Sequence, residues 1–234
     1  MKIQIIVPAA NSDFNEGIRT EAESASAPDT ELSVINLDTG PQTIESRYEE
    51  FWATADLIEK SQAAQDNGFD AIFIACFSEP GVEAIRELVE IPVVGGFDPA
   101  VLTAKIVSQK FSILTVEKRV VPMLETLARA LGIMENVASI LDVGIPVEEL
   151  KDKERLKEAL IATSQTAIDR DGAQAIVLGC TGMLDVAQDV QQALLDLDKP
   201  APVISPTTAA VTFLQSLVRN QLSQSRLTYY KVNP

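Results

Sequence analysis

The sequence predicts an α/β fold made of two similar halves, each with a parallel sheet. Three observations predict it. Short apolar runs alternate with helical stretches of ten or more residues, which is the pattern of successive βαβ units. One segment occurs twice: Gly68-Phe69-Asp70-Ala71-Ile72-Phe73-Ile74-Ala75-Cys76 and Gly172-Ala173-Gln174-Ala175-Ile176-Val177-Leu178-Gly179-Cys180 share the form Gly-x-x-Ala-Ile-apolar-apolar-small-Cys. No low-complexity linker interrupts the chain, so the halves run over roughly 1–100 and 101–215. Residues 216–234 hold the end of a last helix and a tail that is expected to pack back on the N-terminal half.

Taken in order, Ile3–Val7 reads as a buried strand and Asn15–Ala25 as a helix, with Pro8–Ser12 a loop between them. Leu32–Leu37 alternates apolar and polar residues, as a half-buried strand does. Arg47–Asn67 reads as a long helix with an apolar stripe at Phe51, Ala55 and Ile58, broken at Gln62, and with Gly68 as the residue that ends it. Ala71–Ala75 is the first cysteine strand, followed by a helix over Val82–Val89. Ile91–Val94 is a strand closing in Gly95-Gly96, and Pro99–Gln109 is helical. Phe111–Val116, the helix Val120–Leu131, a strand at Ala138–Val143 and the helix Asp152–Asp171 follow, with Asp152 placed as N-cap. Ala175–Leu178 forms the second cysteine strand, with a helix expected over Met183–Leu195. Pro202–Ile204 and Ala209–Gln221 are the last strand and helix, and Leu222–Pro234 is a polar tail lying over the surface.

Composition narrows the chemistry. The chain has 234 residues, 46% of them apolar, and no apolar run long enough to span a membrane. Met1-Lys2 leads directly into a strand-like run without the layout of a signal peptide. Two cysteines in that setting point to free thiols in a reducing cytoplasm. The formal net charge of −15 argues against nucleic acid or an anionic membrane as partner. Histidine is absent, which excludes a Ser-His-Asp triad, a Cys-His pair and a histidine-ligated metal. Two thiols alone are too few for a typical zinc site, so no metal is expected.

The repeat puts both cysteines at strand C-terminal ends, where open parallel sheets bind ligands. Each precedes a predicted helix, whose N-terminus would favour a thiolate. An ordinary thiol has a pKa of about 8.5, and a fall of roughly one to two units makes it a usable base. If both thiols flank one cleft, one removes a proton from a substrate carbon and the other delivers one to the opposite face. Such a two-base racemisation needs neither metal nor cofactor. Ser78, Thr115 and Thr181 are candidates to donate hydrogen bonds to the carbanion. A lone strand-end cysteine is usually a small buried hydrophobe; the matching positions of the only two weigh against that here. Gly95-Gly96 reads as a tight turn rather than a phosphate cradle, Lys105, Lys110 and Lys118 as surface charges, Trp52 as a core or lobe-contact residue, and Glu79 and Asp98 as helix N-terminal charges.

The segments Ala75-Cys76-Phe77-Ser78-Glu79-Pro80-Gly81 and Gly179-Cys180-Thr181-Gly182-Met183 resemble the two signature motifs of the hydantoin racemase family, in the aspartate/glutamate racemase superfamily with the allantoin racemases. Gly40–Glu45, Phe111–Thr115 and Leu222–Arg226 support the likeness over most of the chain. The resemblance implies two pseudo-symmetric Rossmann-like lobes with the active site in the cleft between them. It implies cofactor-independent catalysis by Cys76 and Cys180 on a 5-substituted hydantoin or related cyclic ureide. Ile44, Phe77, Ser78, Thr115, Gly179, Thr181 and Gly182 would line the site, and a homo-oligomer is expected. Where the family carries Asn-Pro-Asn after the first strand, this chain has Val7-Pro8-Ala9, and Asn11 is the residue placed to compensate. Gly96-Phe97-Asp98 likewise departs from the family's Gly-Ile-Gly-Glu-Ala. The alternatives are an allantoin racemase, a decarboxylase or maleate-type cis–trans isomerase of the same superfamily, and a two-lobed small-molecule binding protein.

Overall fold

The computed structural model describes residues 1–232 and resolves into two compact units. One comprises residues 1–96 together with the chain from Thr207 onward; the other is Phe97–Pro206.

The first unit holds β1 (Lys2–Val7), β2 (Glu31–Asn36), β3 (Ala71–Ile74) and β4 (Val93–Val94), all parallel and ordered β2-β1-β3-β4. Ile3, Ile5, Ile6 and the whole of β3 are buried, because helices cover a parallel sheet on both faces and leave no solvent side for alternation. The connecting helices are α1 (Asn15–Ser24), α2 (Arg47–Asp66) and α3 (Val82–Leu88). Ser46 caps α2 by accepting from the Glu49 N–H, while the Glu49 carboxylate reaches back to the Glu45 N–H at 2.8 Å.

The buried face of α2 is not the predicted stripe. Ala53, Leu57, Ser61 and Ala64 face the core, whereas Phe51 and Ala55 face outward. Small residues let the helix backbone come close to Ile72 and Ile74, so burial follows side-chain size rather than apolar count. Trp52 is half exposed, with its ring 6.1 Å from that of Tyr48, and is not a core residue.

The second unit repeats the plan. Here β5 (Phe111–Thr115), β6 (Val137–Asp142), β7 (Ala175–Leu178) and β8 (Val203–Ile204) are parallel and ordered β6-β5-β7-β8. Around them lie α4 (Phe97–Val107), α5 (Val121–Ala130), α6 (Lys153–Asp169) and α7 (Ala187–Asp196). Asp152 is the N-cap of α6, accepting from the Arg155 N–H at 3.1 Å. The buried residues of α6 are Leu156, Leu160, Ser164 and Ala167. Leu160, Ser164 and Ala167 reproduce the spacing of Leu57, Ser61 and Ala64, so the internal repeat extends from the cysteine strands to the helices in front of them. The helix expected from Met183 starts only at Ala187. Asp185 stands in the left-handed region at φ 56°, which no helix accommodates, and Met183, Leu184 and Val186 are buried as a turn instead.

The last helix, α8 (Pro206–Arg219), returns the chain to the first unit. Gln215 accepts from the Ala27 N–H at 2.7 Å and donates to the Ala25 carbonyl at 3.0 Å. The tail then crosses the C-terminal end of α3. Arg226 donates to the carbonyls of Arg86 and Val89, Gln224 to those of Val89 and Ile91, and Ser223 to that of Glu90. Arg86 lies in the last turn of α3, where carbonyls lack helical partners, and Val89–Ile91 is the segment just after it, so the tail secures the helix end and the chain leaving it. The last two residues of the predicted tail, 233 and 234, lie outside the described residues.

Candidate active site

Parallel strands place all their C-terminal loops on one edge of a sheet. In the first unit that edge carries the loops after β1, β2, β3 and β4. Asn11, Ile44, Cys76, Phe77 and Ser78 all belong to these loops. The β1 and β2 loops are tied together: Asn11 Nδ2 donates to the Gln42 carbonyl, and Asn36 Nδ2 to the Asn11 carbonyl. The Asn11 side chain is therefore engaged in holding the loops. Ile44 packs partly against the core under the sheet edge.

Cys76 follows β3 by two residues. The Ala75 N–H is bonded to the Ile6 carbonyl at 2.9 Å, and the Cys76 carbonyl accepts from the Gly96 N–H at 3.0 Å. The sulfur lies 3.3 Å from the Ser78 hydroxyl, while Phe77 turns into the core. Glu79 adopts φ 59°, a costly conformation for this residue, and its side chain lies across Gly95. A methyl group at Gly95 would come 2.3 Å from the Glu79 Cγ, so Gly95 leaves room for a carboxylate rather than for a phosphate. Glu79 precedes α3 and bears electrostatically on Cys76, so it belongs to the site and is not a charge in the helix's first turn.

The expected low-pKa thiol is not found at Cys76. Burial, with the charges of Glu50 and Glu79 adding to it, pushes the thiol up to about 11, against the opposing pull of Ser78. The reason is positional. Helix α3 begins only at Val82, six residues after Cys76, and the hydrogen bond of the sulfur is to the Ser78 hydroxyl rather than to the helix N-terminus. Glu50, in the first turn of α2, hydrogen bonds Ser78. Its own pKa is raised by desolvation, with Ser78 and Arg47 drawing it back down.

In the second unit Cys180 stands at the corresponding place after β7. The Gly179 N–H bonds the Leu114 carbonyl at 2.7 Å, as Ala75 bonds Ile6 in the first unit. Here the small residue is obligatory, since a Cβ on Gly179 would lie 2.9 Å from both the Leu114 carbonyl oxygen and Ile113 Cγ2. Thr115, fully buried at the end of β5, turns its hydroxyl to the Gly179 carbonyl at 3.4 Å and supports the cysteine loop from below. The Gly182 N–H donates to the Cys180 sulfur at 3.3 Å. Thr181 is buried beside it, and Cys180 keeps partial exposure. Both cysteines are free thiols.

Each sheet edge thus gathers its own share of the predicted residues: Cys76 with Ser78 in one unit, and Cys180 with Gly179, Gly182 and Thr115 in the other. Glu50 was not foreseen. In sequence it is one of two adjacent acids in a helix's first turn, and the other, Glu49, is a capping residue. Only the crossover that lays the start of α2 beside the β3 loop separates their roles.

Comparison with known proteins identifies the family. The sequence profile described as Asp/Glu/Hydantoin racemase matches residues 3–214. The chain is 35% identical over 233 residues to a hydantoin racemase of Paenarthrobacter aurescens, covering 99% of this chain and 97% of that one. It is 34% identical over 232 residues to a hydantoin racemase of Pseudomonas sp. (strain NS671), covering 99% and 91%. The structure of an allantoin racemase from Klebsiella pneumoniae superposes with a TM-score of 0.93 at 32% identity, over 100% of this chain and 95% of that one. On the profile, the full-length identity and the shared fold, the chain belongs to the Asp/Glu/hydantoin racemase family.

Proposed function

We propose that the protein is a cofactor-independent racemase of 5-substituted hydantoins or related cyclic ureides, with Cys76 and Cys180 as the proton-transfer pair. The observation that carries the reading is positional: the only two cysteines occupy equivalent places after equivalent strands, β3 and β7, in two sheets of the same strand order. The racemases of hydantoin and allantoin among its relatives support the substrate class.

The C5–H of the ureide is acidified by the adjacent carbonyl. One sulfur, as thiolate, takes that proton, and the bonding pair passes into an enolate-like anion. The other sulfur, as thiol, gives its proton to the opposite face of C5. Atoms and charge balance: one thiolate and one thiol enter, and one of each leaves with their places exchanged. Backbone N–H groups of the cysteine loops stabilise the anion. Two free thiols suit a cytoplasmic setting, and the exposed aromatic face of Tyr48, Phe51 and Trp52 suits burial between copies in a homo-oligomer.

The test is optical rotation of single enantiomers of 5-alkyl hydantoins and of allantoin with the wild type, Cys76→Ser and Cys180→Ser. Racemisation by the wild type and loss in each variant is the expected result. Full activity in either variant contradicts the two-base mechanism. No turnover of any ureide contradicts the substrate class.

A further inference from the structure

The hold of the C-terminal tail on α3 extends to the cysteine loop. Helix α3 has seven residues and runs out at Val89, which is extended at φ −106° and ψ 153°. It therefore has no left-handed residue to fold donors back onto its last carbonyls. The tail supplies donors instead. Arg226 gives one guanidinium nitrogen to the Arg86 carbonyl at 2.8 Å and the other to the Val89 carbonyl. The Val232 N–H bonds the Glu87 carbonyl at 3.2 Å. Gln224 bonds the carbonyls of Val89 and Ile91, and Ser223 that of Glu90.

The segment held in this way leads to Cys76. The Arg86 guanidinium lies 5.6 Å over the Tyr229 ring of the tail and donates to the Tyr229 hydroxyl at 3.2 Å. Its Nε donates to the Val93 carbonyl at 3.1 Å. Val93 and Val94 are the whole of β4, which lies at the edge of its sheet beside β3. Two residues further on, the Gly96 N–H bonds the Cys76 carbonyl at 3.0 Å. An edge strand of this length is shorter than usual and fixes little by itself. The place of the Gly95-Gly96 turn is thus set by how the chain from Arg86 to Val93 is held. We infer that Arg226 is a positioning residue for Cys76: by fastening the connection from α3 to β4, it keeps the Gly95-Gly96 turn, and through it the cysteine loop, in one place. The catalytic consequence rests on the proposed racemase reading; the effect on the loop does not. A guanidinium suits the task, because its planar fork makes charge-assisted bonds to several acceptors at once. Its ion pair with Glu90, at 2.9 Å, is partly open to solvent and contributes less.

The experiment follows iodoacetamide labelling of Cys76 and Cys180 separately by peptide mass spectrometry at pH 8. It uses the wild type, Arg226→Ala and Arg226→Lys, well below their melting temperatures, with kcat and KM for a 5-alkyl hydantoin measured on the same preparations. Arg226→Ala should label Cys76 about tenfold faster and leave Cys180 unchanged, because only one loop loses its backing. Its kcat should fall by about ten- to a hundredfold, as expected for a reacting group displaced from a distance. Arg226→Lys, with one ammonium in place of the fork, should shift Cys76 in the same direction by less. A purely structural Arg226 would lower the melting temperature and leave the labelling ratio and kcat unmoved. An unmoved ratio in folded Arg226→Ala, or equal acceleration at both cysteines, overturns the inference. So does an unchanged kcat when the ratio has moved. Should Arg226→Ala fail to fold, an unmoved Cys76 rate in Arg226→Lys overturns it as well. A wild type that racemises no ureide removes the proposed function, and the labelling ratio then decides this inference alone.

Discussion

At the scale of single residues, the site depends on small groups in fixed places. On the proposed mechanism, replacing either cysteine by serine removes a proton-transfer group while nearly conserving volume. Each variant is expected to lose about 10²- to 10⁴-fold in racemisation rate with little change in melting temperature. Gly179→Ala is a sharper structural probe. The new Cβ meets a backbone carbonyl at 2.9 Å that cannot swing aside, so a cost of about 1–3 kcal/mol is expected in denaturant unfolding. The equivalent position in the first unit already carries a methyl, at Ala75, and makes the matching strand-to-strand bond. The placement of the two cysteines after matching strands was legible in the sequence because the repeat marks it twice. The pKa of Cys76 was not. It follows from desolvation and from two carboxylates, one of them brought from an element 26 residues away.

At the scale of elements, nearly every strand and helix was legible to within a few residues, because alternating short apolar runs and long helices leave little choice in a parallel α/β chain. The faces were harder to read. In α2 the larger apolar residues, Phe51 and Trp52, are outside, while alanine, leucine and serine lie on the sheet. Leu57→Ala is therefore expected to cost about 2–5 kcal/mol in denaturant unfolding. Phe51→Ala should stay within about 0.5 kcal/mol for the isolated chain. The second unit supplies a pH-dependent example. Arg170 first, and Ser139 second, hold the Asp171 carboxyl down at about 2. A carboxyl depressed on folding contributes stability above its unfolded pKa of about 4, and that contribution is lost as pH falls toward 2. Asp171→Asn should thus be less stable than the wild type at pH 6, with the gap in melting temperature closing between pH 4 and pH 2. A gap that persists at pH 2 would point to packing instead.

At the scale of the whole molecule, the same strand order, the same helix-face spacing of Leu, Ser and Ala, and the same strand-end cysteine occur once in each unit. The internal repeat accounts for the matching places of the two cysteines, while their neighbours differ: the Ser78 hydroxyl lies beside Cys76 and the Gly182 N–H beside Cys180. The excess of acidic groups, −15 in net formal charge, sits comfortably with a small neutral substrate and poorly with a polyanion. The measurement that tests the central claim most directly follows a pure enantiomer of a 5-alkyl hydantoin in D₂O, recording optical rotation and deuterium at C5 together against an enzyme-free blank. The account predicts that rotation decays above the blank while deuterium enters C5, and that both stop in Cys76→Ser. Decay of rotation in Cys76→Ser at the wild-type rate, or deuterium entry without loss of rotation, would contradict it.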